Sequence, residues 1–415
     1  MDKYVIYGGS KLSGSIEIQS AKNSVLPILA GSILCDGEVI IQNCPKILDV
    51  LNMVKILNSL GVKADFYDNI IIVNSSSANK FEIPETLMSS LRSSVFTLGP
   101  MLAKFKRAVI SYPGGCDIGL RPINLHLEGL KSLGVIVEEE NGRIICDASE
   151  MRSGEVWFDY PSVGATENII MASVFLDGET TIHNSAKEPE IVDLQNFINS
   201  MGGKVYGAGT SKITVVGVKK LHSTVYKPLF DRIEAGTYMI ATAITGGEIE
   251  LKNCKSEKIS SLIHKLQNNT CKITLNSDII NVRSLNRRKS FNIETAPYPG
   301  FPTDLQAQML ALSTVCNGVS IIKETVFETR FRHAIELIKM GAEISVCDRV
   351  AIVKGVKRLH GAPVTASDLR GGAALTLAAL SAEGKTVLSG VQHIERGYYN
   401  FEQKLSSLGA NVKKV

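Results

Sequence analysis

Ser59-Leu60-Gly61-Val62 closes a stretch of helical periodicity and opens a strand. The same phrase returns as Ser132-Leu133-Gly134-Val135 and Ser200-Met201-Gly202-Gly203. It comes back again as Lys339-Met340-Gly341-Ala342 and Ser407-Leu408-Gly409-Ala410. A glycine just past the last apolar residue of a helical pattern reads as a C-terminus that needs the left-handed conformation. The expected remaining copy, near Gln267-Asn268-Asn269-Thr270, puts Asn where the others have Gly, and Asn is the next residue to tolerate that conformation. With a spacing of about 70 residues, six units account for the whole chain.

Each unit also holds a second helix, rich in Ala and Leu. These begin near Lys22-Asn23, Leu91-Arg92, Ala165-Thr166, Glu234-Ala235, Thr303-Asp304 and Leu369-Arg370. Turns such as Asp36-Gly37-Glu38 and Asp177-Gly178-Glu179 follow most of them. Two helices alternating with short strands in every unit predict α/β packing. Six such units close most naturally as two groups of three, which predicts two similar domains with a cleft between them.

Composition agrees with a large globular protein. The 415 residues are 44% hydrophobic and 21% charged, with a formal net charge of +4. So small a charge gives no argument for nucleic acid or a membrane surface as partner. Mean hydropathy is +0.11, and Gly, Ser, Lys or Glu interrupts each apolar run before it is long enough to span a bilayer. The N-terminus, Met1-Asp2-Lys3-Tyr4-Val5-Ile6-Tyr7, reads as a short strand without the apolar core of a signal peptide. The eight cysteines show no CxxC spacing, and most lie in apolar surroundings, as Cys35, Cys146, Cys316 and Cys347 do. Reduced thiols in a cytoplasmic protein are expected from that pattern.

Aligning the units brings the out-of-place charges into register. Lys22, Arg92, Asp304 and Arg370 all stand at the start of the second helix of their units. Arg121, Arg330 and Arg396 stand about twelve residues before the capping position, at the start of the other helix. Any one of them alone reads as a salt bridge or a solvated side chain. Cations at helix N-termini oppose the macrodipole, so their recurrence suggests helix ends that converge on negative charge. The implied ligand carries several negative charges, such as phosphate plus carboxylate.

One loop stands beside this set: Ser111-Tyr112-Pro113-Gly114-Gly115-Cys116-Asp117-Ile118-Gly119-Leu120-Arg121-Pro122. Its glycines permit close approach of backbone to a ligand. A thiol held there near a fixed cation can serve as acid, base or nucleophile, or can be only a small hydrophobe in a turn. Other chemistries lack their signatures. There is no GxxxxGK[ST], no GxGxxG opening a helix and no GxSxG. The seven histidines, His126, His264 and His333 among them, show no metal spacing, so no metal or other cofactor is expected. Arg287-Arg288-Lys289 reads as a solvated loop.

Ser20-Ala21-Lys22-Asn23, Pro113-Gly114-Gly115-Cys116, Gly119-Leu120-Arg121-Pro122 and Ser162-Val163-Gly164-Ala165-Thr166-Glu167-Asn168 together carry a resemblance. Gly300-Phe301-Pro302-Thr303-Asp304-Leu305-Gln306-Ala307-Gln308, Asp368-Leu369-Arg370-Gly371-Gly372 and Glu395-Arg396-Gly397-Tyr398 extend it to the C-terminal half. From end to end the chain resembles the UDP-N-acetylglucosamine 1-carboxyvinyltransferases of the enolpyruvyl transferase family. The resemblance implies two similar inside-out α/β barrel domains, each of three pseudo-threefold repeats. One domain would be residues 22–229, carrying the Cys116 loop as a lid, and the other 1–21 plus 230–415. Crossovers are expected near Ser20–Lys22 and Leu229–Asp231, with the active site in the interdomain cleft.

The reaction so implied moves enolpyruvyl from phosphoenolpyruvate to the 3′-hydroxyl of UDP-N-acetylglucosamine and releases phosphate, the first committed step of peptidoglycan synthesis. By resemblance, Cys116 is the proton donor to the methylene and Asp304 the base for the sugar hydroxyl. Lys22 and Arg121, with Asn23, would hold the phosphate of phosphoenolpyruvate. Arg370 and Arg396 would hold its carboxylate or the leaving phosphate. Arg92, Arg121, Pro122, Ile123, Asn124, Leu125, Ser162, Val163, Gly164, Asp304 and Val326 match positions lining the nucleotide sugar, with Glu188 and Arg330 as further cleft residues. Asn124 stands where many relatives carry Asp, and Tyr160-Pro161 replaces a Lys-containing pair found in some. The partners expected are the two small substrates alone, with monomer or weak homo-oligomer left open. Two rivals remain: the sister enzyme that makes 5-enolpyruvylshikimate 3-phosphate, which lacks the PGGC loop, and a non-catalytic nucleotide-sugar-binding regulator, which would be expected to have lost Cys116, Asp304 or Lys22.

Overall fold

The computed structural model describes residues 2–114, 123–285 and 288–415. The fold is α/β, and its described residues divide into two compact units. One combines Met1–Gln19 with Phe230–Val415, and the other takes the described residues from Ser20 to Leu229. The chain therefore changes unit at Gln19–Ser20 and again at Leu229–Phe230. The paired segments are tied within each unit, Asp231 N–H to Gln19 O at 2.8 Å and Ala21 N–H to Leu229 O at 2.7 Å.

Among the described residues, six sheets repeat one plan, five with four strands and one with three. In the sheet built on Val319–Lys323, that strand pairs antiparallel with Val350–Lys354, which makes a hairpin with Glu343–Cys347. Ile293–Glu294 adds a parallel edge on the other side. The plan is completed in two places by distant chain. Ser13–Glu17 supplies the parallel edge to Glu248–Lys252, and Thr224–Tyr226 supplies it to Glu38–Ile41. The N-terminal strand Tyr4–Tyr7 lies between Lys385–Ser389 and Asn411–Lys414 and so finishes the last sheet. In the three-stranded sheet, where the fourth strand would lie, Glu82 makes only a single parallel bridge to Val109.

The strands alternate exposed and buried residues, as a sheet covered on one face must. The second helix of each unit instead lies inside, buried along most of its length. Arg370 to Leu380 of the Leu369–Ser381 helix are all buried, as are Arg232 to Ile244 of the Arg232–Thr245 helix. In the first unit these two pack on each other and on Gln306–Ser313. In the second, Val163–Ser173 packs on Leu98–Phe105, and Lys22–Gly31 packs on Pro189–Ser200. Among the described residues, no helix is long and apolar enough to cross a membrane.

The recurring glycines end their helices as expected, with φ of +83° at Gly61, +92° at Gly134, +93° at Gly202, +91° at Gly341 and +92° at Gly409. The Asn copy departs from this. The Ser260–Asn269 helix passes into a strand at Cys271, and its C-cap Thr270 has φ −138°. The strand starts two residues after the helix, against four between Ser59 and Lys63, so no left-handed residue is needed. Two further expectations are corrected. Cys347 is exposed, at the end of an outer hairpin strand, while Cys35, Cys146 and Cys316 are buried. Arg288 is half-buried rather than solvated, and its Nε donates to Ala243 O at 3.1 Å.

Candidate active site

In the first unit, Asp304 lies in a 3-10 turn, Thr303–Leu305, that leads directly into the buried Gln306–Ser313 helix. Two arginines meet its carboxylate. Arg330 Nη2 donates to Oδ1 at 2.7 Å and Arg370 Nη2 to Oδ2 at 3.3 Å. Both guanidinium side chains are almost wholly buried, at 3% and 4% exposure, while Asp304 keeps 28% and can still be approached.

The arginines are themselves fixed. Asp368 caps the Leu369–Ser381 helix, accepting from Arg370 N–H at 3.0 Å and Gly371 N–H at 2.9 Å. A carboxylate at that cap offsets the repulsion between the Arg370 charge and the helix N-terminus. The Arg370 guanidinium lies 5.3 Å from the centre of the Tyr398 ring. Burial opposes its charge, but Tyr398, Asp304 and Asp231 outweigh burial and hold it above its ordinary value. The Tyr398 hydroxyl is in turn 2.8 Å from Thr237 Oγ1 and 3.2 Å from Gln308 Nε2. Neither Nε nor Nη1 of Arg370 has a hydrogen-bond partner among the described residues. Arg330 sits 5.1 Å from the Phe327 ring centre, and neighbouring His333 is pushed down to about 4, chiefly by burial.

Arg330 and Arg396 are not at helix starts, as their register suggested. Arg330 precedes the His333–Lys339 helix by three residues, and Arg396 caps the C-terminus of the short Val391–Glu395 helix. A turn at these places lets the side chain project without opposing a helix dipole. Val326 is half-buried in a turn whose N–H groups bond to Glu324.

In the second unit, Lys22 is the first residue of its helix and places Nζ 3.0 Å from Asp49 Oδ2. Ala21 before it offers no side-chain cap. The backbone carbonyl of Ala21 accepts from Ser24 N–H at 3.0 Å and Val25 N–H at 2.9 Å. Asn23 is half-buried beside Lys22, and Arg92 is half-buried at the start of the Arg92–Thr97 turn.

Ser162 caps the Val163–Ser173 helix by accepting from Ala165 N–H at 3.4 Å. Gly164 lies against Phe96 and His126, where a Cβ would come within 2.9 Å and 3.0 Å. His126 is pushed down to about 3 by burial first and by Arg92 second. Neutral, it takes a 2.7 Å hydrogen bond at Nδ1 from Asn168 Nδ2, whose Oδ1 accepts Gly99 N–H. Ile123 is buried, Leu125 half-buried, and Asn124 exposed at the start of Asn124–Ser132. Glu188 stands at the N-cap position of Pro189–Ser200 and is half-buried. Cys116, Arg121 and Pro122 lie outside the described residues.

The first unit thus brings Asp304, Arg330 and Arg370 into direct contact, and in the second Gly164 lies against Phe96 and His126. Asp49 and Glu324 were not visible in the sequence. Asp49 looks like an ordinary acidic residue in the first turn of a helix, and Glu324 like a surface residue after a strand.

The sequence pattern of the family described as EPSP synthase (3-phosphoshikimate 1-carboxyvinyltransferase) matches residues 6–405. The chain belongs to this family of enolpyruvyl transferases. Within the family, it is 49% identical over 416 residues to UDP-N-acetylglucosamine 1-carboxyvinyltransferase 2 of Caldanaerobacter subterraneus, with all of both chains covered. It is 44% identical to the UDP-N-acetylglucosamine 1-carboxyvinyltransferase of Geobacter metallireducens, again over the whole of both. Among solved structures it resembles the enolpyruvyl transferase NikO from Streptomyces tendae, with a TM-score of 0.90 at 23% identity, covering 100% of this chain and 99% of that one. EPSP synthase from Acinetobacter baumannii shares the fold at a TM-score of 0.78 and 16% identity, covering all of both chains.

Proposed function

We propose that this chain transfers enolpyruvyl from phosphoenolpyruvate to the 3′-hydroxyl of UDP-N-acetylglucosamine, with release of phosphate, as the first committed step of peptidoglycan synthesis. The observation that carries the reading is full-length identity of 44–49% to proteins named for that activity. The chemistry needs a proton on the alkene methylene while the alcohol adds to the neighbouring carbon. Phosphate then leaves as the new methyl is deprotonated. An acid, a base and clamps for two anionic groups are required.

Asp304 serves as the base: its carboxylate is oriented by Arg330 and Arg370 and keeps enough exposure to be approached by the sugar hydroxyl. Cys116 protonates the methylene. Lys22, Asn23 and Arg121 hold the phosphate, the first two from the first turn of a helix. Arg370 and Arg396 hold the carboxylate or the leaving phosphate, Arg370 from the start of its helix beside Asp304. Arg92, Pro122, Ile123, Asn124, Leu125, Ser162, Val163, Gly164 and Val326 line the nucleotide sugar. Each of the two units is an inside-out barrel of three repeats, and the reaction runs in the cytoplasm. No metal or cofactor enters these steps.

Phosphate release from phosphoenolpyruvate is expected with UDP-N-acetylglucosamine and not with shikimate 3-phosphate. Release with shikimate 3-phosphate instead would move the assignment to the activity in the family's description. Silence with both, despite binding of the nucleotide sugar, would favour a regulator. A second test addresses the thiol. The epoxide fosfomycin is expected to add its mass to the intact protein at Cys116, because an anion site delivers the ring to the thiolate. A mass shift that persists in Cys116→Ser would overturn that role.

A further inference from the structure

Glu324 follows the Val319–Lys323 strand, is fully buried, and has both carboxylate oxygens occupied. Oε1 accepts Thr295 Oγ1 at 2.9 Å and the backbone N–H groups of Val326 at 2.8 Å and Phe327 at 3.2 Å. Oε2 accepts the Thr303 hydroxyl at 2.8 Å. A carboxylate only accepts, so the Thr303 proton points at Glu324 and a lone pair on Thr303 is turned to Arg330. Arg330 Nη1 donates there at 2.9 Å. The guanidinium is a rigid plane, so fixing Nη1 also fixes Nη2, which meets Asp304 Oδ1 at 2.7 Å.

The sequence separations make this more than local turn chemistry. Thr295, Thr303 and the Thr325–Phe327 turn are three separate segments, and one carboxylate ties all of them. The tie ends on two residues assigned to substrate, Asp304 through Arg330 and Val326 through its own N–H.

We propose that Glu324 is a positioning residue of the reaction, which through Thr303 sets the face of Arg330 that meets Asp304 and directly seats the turn carrying Val326. The inference rests on the reading of Asp304 as the base. Loss of the Thr303 hydroxyl leaves Arg330 Nη1 without its acceptor and lets the guanidinium rotate. Displacement of a reacting group by about 1 Å costs on the order of a hundredfold in rate.

The test compares Thr303→Val, Thr303→Ser, Glu324→Gln and Asp304→Asn for kcat, KM for each substrate, UDP-N-acetylglucosamine affinity and melting temperature. Thr303→Val is expected to lower kcat by about 10- to 100-fold with nucleotide-sugar affinity held within about threefold. Thr303→Ser keeps the hydroxyl and is expected to recover most of the loss. Glu324→Gln is expected to lower kcat to a similar degree and also to raise KM for the nucleotide sugar, since the Val326 turn loosens. Wild-type kcat in Thr303→Val and Glu324→Gln alongside an inactive Asp304→Asn would overturn the positioning role and leave the base in place. Loss of kcat in Thr303→Ser equal to that in Thr303→Val would also overturn it. Turnover persisting in Asp304→Asn would overturn the base assignment and this inference with it.

Discussion

Asp304→Asn is expected to lower turnover by about a thousandfold while leaving UDP-N-acetylglucosamine bound. The amide is nearly the same size as the carboxylate, so the Thr303–Leu305 turn and the helix after it have no steric reason to move. What changes is chemical. An amide cannot take the hydroxyl proton, and it presents one accepting oxygen where the carboxylate meets Arg330 and Arg370 with one each. One guanidinium therefore faces an N–H₂ group instead of an acceptor. The two arginines, both nearly buried, are left with an uncompensated charge between them. Breaking one side of a buried ion pair typically costs about 3–5 kcal/mol, and the partial exposure of Asp304 puts this case below that range. The variant is expected to melt a few degrees lower and to remain folded at 25 °C. Steady-state phosphate release gives kcat, and titration with the nucleotide sugar gives binding. Turnover within tenfold of the wild type would remove Asp304 as the base.

The parts of this fold that the sequence displays are those set by neighbours in the chain. Gly61, Gly134, Gly202, Gly341 and Gly409 announce helix ends because the left-handed conformation is a single-residue property. Asn269 matched their register and not their geometry. A helix can also end by running straight into its strand, and nothing in Gln267–Thr270 distinguishes the two. The same limit applies to the charges. Lys22, Arg92, Asp304 and Arg370 stand at helix starts, as periodicity placed them. Which of them meet is decided by how the sheets close. Asp304 meets Arg330 and Arg370, residues 26 and 66 positions away, and no spacing rule reaches that far. Glu324 was hidden for a related reason: its value lies in joining three segments that only the finished sheet brings together. Tyr4–Tyr7 shows it most plainly, since a four-residue strand at one end of the chain completes a sheet built from the other end.

Gly355→Ala and Gly217→Ala are each expected to destabilise their own unit by about 3 kcal/mol or more. The two glycines hold equivalent places, each directly after the second strand of a hairpin, Val350–Lys354 in one unit and Lys212–Val216 in the other. Each N–H bonds to the carbonyl of a turn glycine, Gly355 to Gly318 and Gly217 to Gly178, both at 3.0 Å. The next residue bonds back to the end of the buried helix region, Val356 to Thr314 at 2.7 Å and Val218 to Val174 at 2.9 Å. The strand exit is thereby pinned so close to the helix end that a Cβ at Gly355 would lie 1.6 Å from Cys316 O, and one at Gly217 would lie 1.6 Å from Leu176 O. Both obstacles are backbone atoms, which cannot swing aside as a side chain can, so relief requires breaking the two hydrogen bonds that seat the sheet on its helix. The melting midpoint is expected to fall by about 6–12 °C for a domain of this size. Gly154→Ala supplies the control, since its Cβ would meet only Leu133 at 3.9 Å. If Gly355→Ala melted with Gly154→Ala, the close approach of strand exit to helix end would not be what holds sheet to helix in these repeats. The expected contrast between them ties the Gly-Val-Lys phrase at 217–219 and 355–357 to packing.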